Sequence, residues 1–258
     1  MAEEIGFADI AEIAAMLFDG KPPIVVGGQA VNIWALFYLP KVEGQLKPHA
    51  PFVSKDLDLY GPQKILQDLS QKYGVPVKLS PPRFPGIGQL VIPMADKELK
   101  VELLSGVKGL RNLGAGSAVD LTVQGVELRV LDPISCLKAK VANAADLDQT
   151  NRQDVRHVSI MKVCSREFAK DIIARAEQKI ASERGVVNCL EDIASITTSP
   201  EAAKVTRKWN ISFEDVLPME AIEKSPLQKV QHFLHFRLRQ LPQRVTQSPR
   251  QSGLRMGM

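Results

Sequence analysis

The chain is poor in the residues that build covalent or zinc-held frameworks. Its 258 residues include three cysteines, Cys136, Cys164 and Cys189, odd in number and far apart. That spacing excludes a disulfide scaffold and a paired-cysteine zinc site, and it fits a reduced interior. Histidine offers no ligand set either. His157 stands alone in an apolar helical stretch and reads as a core or interface residue, while His232 and His235 have neither acid nor cysteine beside them. No segment is long and apolar enough to span a membrane, and Met1-Ala2-Glu3-Glu4 is acidic where a secretory signal would be basic. The expectation is a soluble cytoplasmic protein with no membrane partner.

Acid is missing from one end. After Glu223 there is no Asp or Glu, while Lys224, Lys229, Arg237, Arg239, Arg244, Arg250 and Arg255 follow. Removing those seven from 33 Lys and Arg leaves 26, against 29 Asp and Glu, so the body is slightly acidic and the basic character is C-terminal. Such an end attracts RNA, DNA or an acidic protein partner, or is a solvated helix face followed by a disordered tail.

What is present is an ordinary globular composition, 45% hydrophobic and 24% charged, with a clear change of pattern. Up to Leu131 strands and helices mix. Helical spacing runs from Phe7 to Phe18, a strand covers Ile24–Val26, and a buried helix containing Trp34 covers Gln29–Leu39 and ends at Pro40. A polar loop is expected over Lys41–Pro51, then a strand Asp56–Tyr60 and a helix Gln63–Tyr73. Strands follow at Val75–Leu79, Gln89–Met94 and Glu98–Leu104, with a loop over Ser80–Gly88. Val119–Val123 and Val126–Val130 form a hairpin around Gln124-Gly125. From Pro133 onward the pattern is helical, over Pro133–Ala145, Arg152–Val163, Arg166–Glu183, Val187–Ile196, Pro200–Trp209 and Pro226–Leu241. The reading is an α+β protein with an α/β domain at 1–131, a helical domain at 132–242 and a disordered basic tail at 243–258.

Two short segments carry chemistry. Val25-Val26-Gly27-Gly28 runs from a strand through a glycine turn into a helix, and Asp56-Leu57-Asp58-Leu59 places two carboxylates on one face of a strand with the leucines on the other. Glycine lets a backbone approach phosphate, and a helix start offers free N–H groups. Paired carboxylates repel unless a proton or a hard cation such as Mg²⁺ joins them. Glu102, in the apolar run Lys100–Leu104, is the candidate third acid.

These segments, in this order, resemble the DNA polymerase beta-type nucleotidyltransferase superfamily. Ser54, two residues before the first aspartate, is similar to the AbiEii-like branch, which contains many toxins of toxin–antitoxin pairs. So is the later run Leu137-Lys138-Ala139-Lys140 followed by Arg152-Gln153-Asp154. The resemblance covers residues 20 to 160 or so. It implies a mixed-sheet nucleotidyltransferase fold followed by a C-terminal helical bundle. It also implies an ATP- or other NTP-dependent transfer of NMP to a nucleic-acid or protein hydroxyl, in a two-metal Mg²⁺ site. By it, Asp56, Asp58 and Glu102 are catalytic metal ligands, and Gly27, Gly28, Ser54 and Lys138 bind the nucleotide. An RNA or an antitoxin-like protein is the implied partner. The stretch from Gly28 to Asp58 is longer than the family pattern, with the excess placed in the loop Lys41–Pro51, and Glu102 stands where Asp is commoner. The alternatives are a catalytically degenerate member that binds nucleic acid or protein through its basic C-terminus, and a helical adaptor with Asp56 and Asp58 on its surface.

Overall fold

The computed structural model describes residues 4–17, 22–81, 86–111, 113 and 115–238. Residues 239–258, with the expected tail, lie outside that set. A seven-stranded mixed sheet is covered by helices, so the architecture is α+β. The strands are β1 (Ile24–Val25), β2 (Leu57–Tyr60), β3 (Lys78–Leu79), β4 (Gly86–Pro93), β5 (Glu98–Leu104), β6 (Ala118–Val123) and β7 (Val126–Leu131). Their order across the sheet is β3-β4-β5-β2-β1-β7-β6. β2 runs parallel to β5, and β1 runs antiparallel to β2 and parallel to β7.

The apolar positions of the central strands β2 and β5 face the core. Leu57 and Leu59 of β2, and Val101 and Leu103 of β5, are fully buried, while the residues between them face the other way. The hairpin β6–β7 turns at Gln124 (φ 49°) and Gly125 (φ 82°), the left-handed pair that a tight antiparallel turn requires.

Ahead of the sheet lies α1 (Phe7–Leu17). Between β1 and β2 runs α2 (Gly27–Leu46), and α3 (Lys64–Tyr73) follows β2. The strands end at Leu131, and the helices α4 (Pro133–Asp146), α5 (Asp154–Glu177), α6 (Glu183–Thr197) and α7 (Pro200–Trp209) follow. The chain then forms α8 (Met219–Lys224) and α9 (Gln228–His232), which runs into a π-helical turn at Phe233–Arg237. Capping sets several of these starts. Asp132 accepts from the backbone N–H groups of Ile134 and Ser135 ahead of Pro133, and Ser182 and Ser199 cap α6 and α7. The buried side chains form one connected cluster from Ile5 to Phe233. No helix among the described residues is long and apolar enough to cross a membrane.

Several expectations need correction. α2 does not end at Pro40: it continues to Leu46 with a break at Val42 (φ −138°, ψ 44°), and a 3-10 turn Lys47–His49 follows. Lys41–Pro51 is therefore no polar loop, and Leu46 is fully buried. Tertiary contacts with α5 outweigh the missing proline N–H. Tyr38 Oη donates to Asp171 at 2.9 Å, Lys41 Nζ lies 2.7 Å from Asp171 and 3.3 Å from Glu167, and Arg156 Nε donates to the carbonyl of His49 at 2.9 Å. The two expected helices 152–163 and 166–183 are one. Cys164 and Ser165 are buried at the supposed break, and the Ser165 hydroxyl donates to the Pro133 carbonyl. The strand expected at Val75–Leu79 shrinks to Lys78–Leu79, and β4 begins inside the expected loop, at Gly86. The last helix begins at Gln228, and α8 has no counterpart in the sequence reading.

Leu46 tests the corrected path of α2. Leu46→Ala is expected to lower the unfolding free energy by about 3 kcal/mol in urea denaturation, as for a core leucine. A surface-loop leucine would cost no more than about 0.5 kcal/mol.

Candidate metal and nucleotide site

Asp58 and Glu102 face each other across the parallel ladder between β2 and β5. Asp56 lies just before β2, on the same side as Asp58. One carboxylate oxygen from each of the three lies within 4.8 Å of the others, and all three side chains are half-buried. The acids expected from sequence are thus brought together. Among the described residues no other group of His, Cys, Asp and Glu meets this spacing.

Crowding makes the cluster costly. Burial, and then the charge of Glu102, raise the pKa of Asp56. Burial, with the charges of Asp56 and Glu102, pushes the Asp58 carboxyl up to about 7. Opposing this are the charges of Lys140 and Lys100 at both aspartates, and of Arg152 at Asp56. Lys100 is ion-paired with Glu102, two residues further along β5. Three hard oxygen donors at this separation fit a divalent cation of the Mg²⁺ type.

The glycine turn abuts the acids. The Val26 N–H donates to the carbonyl of Asp58 at 2.9 Å, which pins the end of β1 to β2. Gly27 has φ +68°, and a Cβ there would lie 1.9 Å from Asp58 Oδ2. Gly28 begins the buried part of α2, and a Cβ on it would meet Ser54 Oγ at 2.7 Å and His157 Cε1 at 3.3 Å. α2 has no side-chain cap at this end, so its first N–H groups are available to an anion beside the carboxylates. Ser54 is buried behind Gly28, held by its backbone pairing with Ile5.

Lys138 is not brought to this group. Two residues apart on a helix are turned about 200° from each other, so Lys138 and Lys140 leave opposite sides of α4. Lys138 is exposed and lines a hollow with Arg111, Ser117 and Asp192. Lys140 is buried on the acid side, with Nζ 3.0 Å from Asp154 Oδ1. Asp154 also takes Arg152 Nε at 2.6 Å and Asn143 Nδ2 at 3.3 Å. Burial opposes its charge, yet Lys140 and Arg152 hold its carboxyl down at about 2.

His157, one turn after Asp154, is 4% exposed, and neither ring nitrogen has a hydrogen-bond partner. Burial, then the charge of Lys140, lowers its pKa well below the ordinary value. The core reading of His157 holds for its burial, and its position against Gly28 adds a contact the sequence did not show. The sequence reading did not single out Lys100, although the rule that residues two apart on a strand share a face would have placed it beside Glu102. The choice of Lys140 over Lys138 was not legible, because the run Leu-Lys-Ala-Lys does not say which helix face meets the sheet.

Comparison with protein-family models, curated proteins and solved structures finds no match to the chain.

The raised carboxyl of Asp58 sets a pH test. The folded protein keeps that proton until about pH 7, whereas the unfolded chain releases it near the ordinary 3.8. Between those values the folded state binds more protons, so this group makes stability fall as pH rises. Asp58→Asn is expected to flatten that fall and to raise the melting temperature of the metal-free protein at pH 8, read by thermal unfolding from pH 4 to 8. Gly27→Ala, strained by φ and by Asp58, is expected to lower stability by at least about 1 kcal/mol in urea.

Proposed function

We propose that the chain is a metal-dependent nucleotidyltransferase that moves an NMP from an NTP to an acceptor hydroxyl. The observation that carries this reading is the convergence of Asp56, Asp58 and Glu102 beside an uncapped helix start at Gly27-Gly28. Carboxylates alone would fit many cation sites, and a glycine turn alone would fit many anion sites. Their direct contact joins a place for hard cations to a place for phosphate, as phosphoryl transfer needs.

In this reading Asp56, Asp58 and Glu102 hold Mg²⁺, which supplies positive charge at the reacting phosphorus and at the attacking oxygen. The missing side chains of Gly27 and Gly28 leave room for Asp58, Ser54 and His157, and the first N–H groups of α2 at this turn bind the triphosphate oxygens. Ser54 and His157 pack behind Gly28 and fix the turn. Asp154 holds the Lys140 ammonium on the acid side of α4, where its charge counts against the carboxylate cluster before ligand arrives. The fold is then that of the polymerase beta-type transferases, and the sequence order of glycine turn, aspartate pair and third acid supports it.

The test is transfer of label from each NTP with Mg²⁺, together with thermal unfolding in the same ligands. A nucleotide at 100 times its dissociation constant is expected to stabilise the protein by about 2.7 kcal/mol, and only with Mg²⁺. The double variant Asp56→Ala/Asp58→Ala is expected to lose both that shift and transfer. A 10³-fold loss from Asp58→Ala alone corresponds to about 4 kcal/mol of transition-state stabilisation. Transfer that survives Asp58→Ala overturns the reading.

A further inference from the structure

One cation stands inside the acidic site without a part in the chemistry above. Lys100 and Glu102 leave the same face of β5 and form an ion pair. Asp56 and Asp58 stand beside Glu102, with one carboxylate oxygen from each of the three within 4.8 Å of the others. One ammonium is therefore paired inside a group of three carboxylates. It differs from Lys140, which is buried and fixed by Asp154. The Lys100 side chain is 41% exposed, and its flexible stem lets the head swing out of the cluster.

A divalent cation that uses all three carboxylates draws on the charge of Glu102 and repels the ammonium at short range, so it weakens the Lys100–Glu102 pair. Left in water, the expelled ammonium gains nothing specific. A triphosphate seated on the neighbouring turn gives it a new anionic partner. We propose that Lys100 is a tethered counter-ion, displaced from Glu102 by the divalent cation, whose freed ammonium then binds a phosphate oxygen of the nucleotide. This rests on the metal-site reading given above. It makes metal and nucleotide binding mutually reinforcing, because each improves the position of Lys100 for the other.

Mn²⁺ titration of the full chain, followed by the EPR signal of the free ion, tests the displacement. It is run on wild type, Lys100→Gln and Lys100→Arg, first without nucleotide and then with a non-hydrolysable NTP analogue. Lys100→Gln is expected to bind Mn²⁺ about tenfold more tightly without nucleotide, and the analogue about tenfold more weakly with Mn²⁺ present. Lys100→Arg, which keeps the charge, is expected to stay close to wild type in Mn²⁺ affinity. Equal or weaker Mn²⁺ binding by Lys100→Gln overturns the displacement and leaves the transferase reading standing. Unchanged affinity for the analogue overturns the phosphate contact. No Mn²⁺ binding by any of the three proteins overturns the metal-site reading and this proposal together.

Discussion

Everything around the site follows from one pairing. The parallel ladder of β2 and β5 sets Asp58 opposite Glu102, and side chains alternate along both strands. A slip of one residue would turn Glu102 into the core and a valine or leucine toward Asp58. The register is held from the other face, where Leu57, Leu59, Val101 and Leu103 are fully buried. Apolar burial on one side of the sheet thus forces like charges together on the other. The repulsion is confined by the stable part of the fold, and it remains available to whatever cation enters.

The helices complete what the sheet begins. α5 reaches the site through Asp154 and His157 at its start, and further along it grips α2 through Glu167 and Asp171. α2 in turn carries the glycine turn at its first residues and Trp34 one face deeper, where the indole N–H donates to the carbonyl of Leu131 at 2.8 Å. The turn, the acids and the base of α4 are therefore tied to one packed body. Such ties favour a preorganised site over one that must assemble on binding.

The sheet and the acids were largely legible because both rest on local rules. Alternation gave the strand Glu98–Leu104 without error, the left-handed turn chemistry of Gln124-Gly125 gave the hairpin, and strand parity put Asp56 and Asp58 on one side. What escaped was set by partners far away in the chain. Pro40 is a helix stop by local rules, yet Asp171 and Glu167, some 130 residues later, hold the chain helical beyond it. The break expected before Arg166 vanished because the Ser165 hydroxyl finds Pro133. Lys140 and Asp154 form their ion pair across two helices, and only the packing of α4 decides that Lys140 faces the acids and Lys138 does not.

The contact between Gly27 and Asp58 couples two positions thirty-one residues apart for two separable reasons. The left-handed φ of Gly27 belongs to the turn and would persist without any acid opposite. The missing side chain, by contrast, is room for the carboxylate. A Cβ at position 27 would also lie 2.8 Å from the Cβ of residue 58, so a lineage that gave up Asp58 for glycine would be released from the second demand but not the first. Asparagine, which tolerates a left-handed backbone, would then become admissible at position 27. The pair of residues found at 27 and 58 in any descendant of this chain is thus a record of whether its acidic centre was kept.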